Sequence, residues 1–132
     1  MKYFKYSEFD SPDVIGSGKK YMNKEFLEML DLCRERCGFP FRVTSGYRTQ
    51  AWQDELTKRG YKTAKFRSAH QDGLAADIKI TNNYQRALIV GNAMEICSDM
   101  SLPIRIGIAG EGKGNFVHID IKESKSPRLW VY

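Results

Sequence analysis

The sequence predicts an α+β fold, an antiparallel or mixed sheet of four to six strands with about three helices, built as one domain over residues 1–132. Three observations carry that prediction. Residues 74–80 and 116–122 alternate apolar and polar side chains with the period of a strand. The stretches that follow Asn23, Thr49 and Asn82 repeat apolar residues at helical spacing, each behind a side chain able to cap a helix. Apolar residues are 42% of the chain, with 7 Phe, 7 Tyr and 2 Trp, which is enough material for one ordinary core.

Taken in order, residues 3–9 mix aromatic and polar side chains and suggest a short edge segment, broken by Ser11-Pro12-Asp13 and Gly16-Ser17-Gly18 into a loop. Phe26, Leu27, Leu30, Cys33 and Cys37 then mark a core helix that Gly38 stops. Residues 39–44 form a strand whose Pro40 belongs at its start or at an edge, left through the turn Ser45-Gly46-Tyr47-Arg48. A second helix runs from about Gln50 to Arg59 and ends at Gly60, and residues 61–68 are a loop. In the strand at 74–80, Leu74, Ala76, Ile78 and Ile80 share one face, while Ala75, Asp77 and Lys79 share the other. A third helix runs to about Ser98, residues 103–108 are strand-like, and 107–114 form a glycine-rich turn. In the strand that follows, Phe116, His118, Asp120 and Lys122 share a face, and residues 129–132 make a final strand.

Composition narrows the function classes. A formal charge of +5 favours anionic partners, but the cations are scattered with no Arg-rich arm, which argues against nucleic acid. No apolar run is long enough to insert in a membrane, and the opening residues lack the apolar stretch of a signal peptide. Cys33, Cys37 and Cys97 are an odd set; the first two are one turn apart in an apolar stripe, so they are expected to be small buried hydrophobes.

The chemistry concentrates in Ser68-Ala69-His70-Gln71-Asp72-Gly73-Leu74-Ala75-Ala76-Asp77, with His118 downstream as the second of only 2 histidines. Catalytic zinc commonly takes three His or carboxylate ligands and leaves a position for water. If the strands bearing Asp77 and His118 are neighbours, both side chains stand on one face, and His70 can fold over them. Residue types alone equally allow a loop histidine at 70 and a His118 that simply pairs with Asp120.

Ser68-x-His70-x-x-Gly73-x-Ala75-x-Asp77, followed by His118-Ile119-Asp120 and preceded by Ser45-Gly46-Tyr47-Arg48, resembles the M15 family of zinc peptidases, the D-Ala-D-Ala carboxypeptidase and dipeptidase group. The match runs from about Phe41 to Asp120, and the short chain is similar to the compact members encoded by bacteriophages. The resemblance implies Zn2+ held by His70, Asp77 and His118, with Arg48 facing the substrate and Ser68 orienting ligand or substrate. A guanidinium at 48 suits a peptide carboxylate or a developing oxyanion on its own chemistry. Gly73 would let backbone approach the site.

Many members of that family carry an acidic general base three positions before the last histidine ligand. Here Asn115 stands at that position, and an amide cannot accept the proton. Asp120 is the expected replacement, with Glu111 in the glycine-rich turn as the other candidate. The expected function is hydrolysis of peptidoglycan stem peptides or cross-links, of D,D-carboxypeptidase or endopeptidase type, by a phage lytic enzyme that waits in the host cytoplasm or in a virion. The alternative is a peptidoglycan-binding module that keeps zinc and has lost catalysis.

Overall fold

The structure, a computed structural model, describes residues 1–64 and 66–132. Lys65, inside the loop expected at 61–68, lies outside the described residues. Four helices, α1 (Ser17–Tyr21), α2 (Lys24–Cys37), α3 (Gln50–Lys58) and α4 (Asn83–Asp99), join five strands: β1 (Arg42–Ser45), β2 (Ala75–Lys79), β3 (Arg105–Ala109), β4 (Phe116–Asp120) and β5 (Arg128–Val131). The strands form one mixed sheet in the order β1-β2-β4-β3-β5, antiparallel except where β5 runs parallel to β3. The α+β class is as the sequence predicts.

The expected caps form. Asn23 accepts from the Phe26 N–H at 2.9 Å, Thr49 from Trp52 at 3.0 Å and Asn82 from Gln85 at 2.8 Å. Each satisfies a backbone donor that the first helical turn leaves open. Gly38 ends α2 in the left-handed region, at φ 76°.

One sheet face is dry. Ala76 and Ile78 of β2, Val117 and Ile119 of β4 and Ile106 of β3 pack with Phe26, Leu30 and Cys33 of α2 and Ile89, Ala93 and Ile96 of α4. Full burial of such side chains contributes about 1.5–3 kcal/mol each. All three cysteines are free and buried. Helices therefore cover the apolar face of the alternation, and the polar face is left for the site.

Two expectations change. Residues 3–9 are not an edge strand: Tyr6–Phe9 is a 3-10 turn closed by Glu8, whose N–H donates to the Lys5 carbonyl and whose carboxylate accepts the Lys5 N–H at 2.8 Å. These local bonds occupy backbone groups that strand pairing would need, and Phe4 and Phe9 go into the core. The turn expected at 107–114 begins only at Gly110, because β3 stays paired with β4 through Ala109, and the Trp130 ring fills the space above Gly107. A Cβ there would lie 2.6 Å from that ring. No helix among the described residues is long and apolar enough to cross a membrane.

Candidate metal centre

Sheet register assembles the site. Asp77 on β2 stands directly opposite His118 on β4, Ser45 of β1 lies beyond Asp77, and Gly107 of β3 and Trp130 of β5 lie beyond His118. A single row thus crosses all five strands. Because successive strand residues alternate faces, Asp77 and His118 both stand opposite the helix-covered side.

His70 arrives from outside the sheet on a second 3-10 turn, Ala69–Asp72. Ser68 caps that turn, its hydroxyl accepting the His70 N–H at 3.2 Å while its own N–H donates to the Gln71 side chain at 3.0 Å. Gln71 in turn donates to Gln50 of α3 at 2.6 Å, and the Arg48 N–H donates to the His70 carbonyl at 3.1 Å. Gly73 ends the turn at φ +70°, where a Cβ would lie 2.0 Å from the Tyr21 carbonyl oxygen. The close approach made there is to α1, not to the site as the sequence suggested.

The donor atoms converge. His70 Nδ1 is 2.8 Å from the Gly46 carbonyl, which can only accept, so Nδ1 carries the proton and Nε2 presents its lone pair. That Nε2 is 3.4 Å from Asp77 Oδ1. His118 Nδ1 is 2.8 Å from the same oxygen, and its Nε2 is 2.7 Å from Asp120 Oδ2. One ligand atom from each of His70, Asp77 and His118 lies within 4.8 Å of the others, and all three residues are buried. Two imidazoles and one carboxylate, each imidazole oriented by an acceptor on its far nitrogen, fit a zinc ion in donor type and in the support behind the donors.

The charges of the cluster are balanced among its own groups. Burial opposes a charge on His118, but the hydrogen bonds to Asp120 and Asp77 outweigh it and raise its pKa to about 9. Burial, only partly offset by Asp77, depresses His70 and keeps it neutral. Burial alone would raise the Asp77 carboxyl; the two imidazoles facing it reverse that and hold it below the usual carboxylate range. A proton on His118 balances the Asp77 charge, in the region a metal cation would occupy.

The other expected residues fall in three places. Arg48 lines the cavity with the metal-type cluster and is held on three sides: Nε donates to Ser45 at 2.9 Å, Nη1 to Gln53 at 3.2 Å and Nη2 to Asp77 Oδ2 at 3.4 Å. Ser68 lines the same cavity of ≈ 540 Å³, its hydroxyl engaged in the cap. Asp120 is fully buried behind His118, and Arg105 grips both its oxygens at 2.8 and 2.9 Å. Its oxygens, expected to serve a general base, are engaged by Arg105, His118 and the Lys122 N–H. Glu111 and Asn115 line a separate hollow at the β3–β4 hairpin. Asn115, at φ 48°, turns in the left-handed region before β4 begins.

Sequence reasoning did not mark Gln53, Arg105, Trp130 or Tyr132. Gln53 is 5% exposed with a buried amide nitrogen that has no partner among the described residues, and it braces Arg48 from α3. Trp130 lies beside His118, ring centroids 5.5 Å apart, with the Arg105 guanidinium 5.8 Å from its ring. The shared alternation of Trp130 and Tyr132 was a readable signal. What it lacked was the strand beside which to place it.

No family model matches the sequence, and no curated protein matches it. The fold is similar to the crystal structure of the Serratia marcescens L-Ala D-Glu endopeptidase ChiX, with a TM-score of 0.62 at 19% identity over 78% of this chain and 82% of that one. At that identity the likeness is one of fold.

Proposed function

We propose that the chain is a zinc-dependent peptidase acting on bacterial cell-wall peptides, of the M15 type that its motifs resemble. The observation that carries this reading is the convergence of His70 Nε2, Asp77 Oδ1 and His118 Nδ1, with the far nitrogen of each imidazole held by an acceptor. The endopeptidase named for the similar fold supports a wall peptide as substrate. The cavity lining supports an anionic one, since Lys62, Arg67 and Lys122 join Arg48 and Arg105 there against the two carboxylates of Asp77 and Asp120.

Bound zinc would polarise a carbonyl and lower the pKa of a water toward ~7. The chain's own residues do the remaining work. Asp77, charged at any working pH, supplies the anionic ligand. Gly46 and Asp120 fix which nitrogen of His70 and His118 faces inward. Asp120 is thus a positioning residue, and its carboxylate is itself fixed by Arg105. Arg48 offers its unused N–H groups to a substrate carboxylate or oxyanion. Among the described residues lining the cavity, Asp77 and Asp120 are the only carboxylates, and both are committed.

That last observation favours a second reading, a zinc-containing module that binds peptidoglycan without cutting it. Digestion of purified peptidoglycan with and without a chelator, followed by mass spectrometry of the new termini, separates the two. The peptidase reading expects chelator-sensitive cleavage and identifies the bond; intact muropeptides in the presence of zinc leave the module. The proposal includes the phage setting, in which the protein meets the wall at lysis or entry, and a genome neighbourhood of housekeeping genes would remove that part.

A further inference from the structure

Tyr132 follows β5, the strand at one edge of the sheet. Its backbone N–H donates to the Ile108 carbonyl at 2.9 Å, which carries the β3–β5 pairing one residue past β5. Its ring is fixed between Phe116, at 5.4 Å between centroids, and Trp130, at 6.0 Å. It lines the same cavity as Arg48, His70 and Asp77, and with 47% of its surface open it remains accessible from the cavity mouth. The charges of Asp77 and Arg48 both act on its hydroxyl. Burial first, and then the Asp77 charge, push its pKa up to about 12 against a hydrogen bond with Trp130 that lowers it, so the phenol keeps its proton.

Several other donors of the lining are engaged within the protein. Arg48 gives three of its five N–H groups to Ser45, Gln53 and Asp77, Arg105 is committed to Asp120, and Ser68 to its own turn. A peptide carbonyl that gains negative charge on attack by water needs a donor already in place, in a site where the donor does not have to reorganise.

Resting on the peptidase reading above, we propose that Tyr132 is a catalytic residue whose hydroxyl donates a hydrogen bond to the oxygen of the scissile carbonyl as that oxygen becomes negative. No proton changes owner in this step, and the hydrogen bond shortens as charge develops. Tyr132 therefore contributes to the transition state more than to substrate binding.

Tyr132→Phe keeps the ring contacts to Phe116 and Trp130 and removes only the hydroxyl. In the zinc-loaded protein the expected result is a kcat lower by roughly 10²-fold, as for loss of an oxyanion donor, with KM within about twofold and with zinc content and melting temperature unchanged. A second readout avoids turnover. A phosphinate isostere of the bond that muropeptide digestion identifies, measured by calorimetry, should bind Y132F at least about tenfold more weakly, while the uncleaved peptide bound to chelator-treated protein should not distinguish the two chains. Unchanged kcat and phosphinate affinity overturn the assignment. So does a loss that appears equally in peptide affinity or comes with loss of zinc, since either makes Tyr132 structural. A zinc-loaded wild-type chain that leaves every wall peptide intact overturns the peptidase reading, and the tyrosine assignment with it. Active wild type beside equally active Y132F removes the tyrosine alone.

Discussion

Replacing Arg105 by Met tests the support under His118 from the side away from the cavity. Asp120 has no exposed surface, and its charge is met by Arg105 at 2.8 and 2.9 Å, by the Lys122 N–H at 3.0 Å and by His118 Nε2 at 2.7 Å. R105M retains most of the aliphatic stem and deletes the guanidinium. Removing one partner of a buried ion pair costs about 3–5 kcal/mol, because the other charge stays buried. Here His118 and the Lys122 N–H remain, and the Arg105 side chain is 26% exposed, so water can replace part of what is lost. The expected loss is therefore near the lower bound, about 3 kcal/mol at pH 7, or a fall in melting temperature of roughly 10 °C.

The pH dependence fixes the cause. Burial would raise the Asp120 carboxyl, but hydrogen bonds from His118 and Arg105 hold it below its ordinary value in the native state. A depressed native pKa contributes stability that is present above the unfolded value of about 3.9 and is lost as pH falls through the native one. Deleting Arg105 removes much of that contribution, so the gap between wild type and R105M should be widest near neutrality and narrow below about pH 4. Urea unfolding of the metal-free proteins across this range measures it. A gap under about 1 kcal/mol at pH 7, or one that is the same at both ends, would refute the claim that the pair carries this energy.

Other consequences are as direct. Asp120→Asn leaves an acceptor for His118 Nε2 but removes the charge, and zinc affinity by competition with a chelator should weaken by roughly 10–100-fold. His118 holds a native pKa of about 9, raised from its ordinary 6.5, so its contribution to the metal-free protein is fully present below pH 6.5 and lost as pH rises through 9; chemical denaturation should show a decline of order 3 kcal/mol between those values. Zinc must displace the same proton, so calorimetry in buffers of different ionisation enthalpy should detect about one proton released per ion near neutral pH. Gly107→Ala places a Cβ 2.6 Å from the Trp130 ring; the indole must move, costing about 1–3 kcal/mol and changing the near-ultraviolet dichroism that Trp130 contributes.

What the sequence made legible follows from periodicity. Asp77 and His118 could be placed on the polar faces of two strands because period two leaves no other choice once Ile78 and Ile119 are inside. Their pairing depended only on β2 and β4 being neighbours. Arg105 could not be assigned to Asp120 in that way, since the two face each other across β3 and β4 and nothing in residues 103–108 reveals which strand lies beside them. From the sequence alone Asp120 therefore reads as a general base or as a partner of His118. The parallel direction of β5 is equally invisible locally, and it is what delivers Trp130 and Tyr132 to the cavity. The short α1 has no apolar repeat long enough to register. Asn115 was placed by spacing to His118, but three residues along a strand reverse the side chain's face, and the left-handed turn at 115 directs it to the hairpin hollow.

The row from Ser45 to Trp130 also bears on how the chain opens and closes. Asp77 and His118 come from different strands and His70 from the turn before β2, so no hairpin contains the cluster by itself. An ion held by His70, Asp77 and His118 would bind only while β2 and β4 are paired at the middle of the sheet, and would add RT ln(1 + [L]/Kd) to the free energy of any opening that separates them. Local fraying at α1, which contributes nothing to the row, gains none of that protection. Amide exchange should accordingly slow in β2 and β4 together when zinc is added, so that the ion acts as a gauge of whether the middle of the sheet is closed.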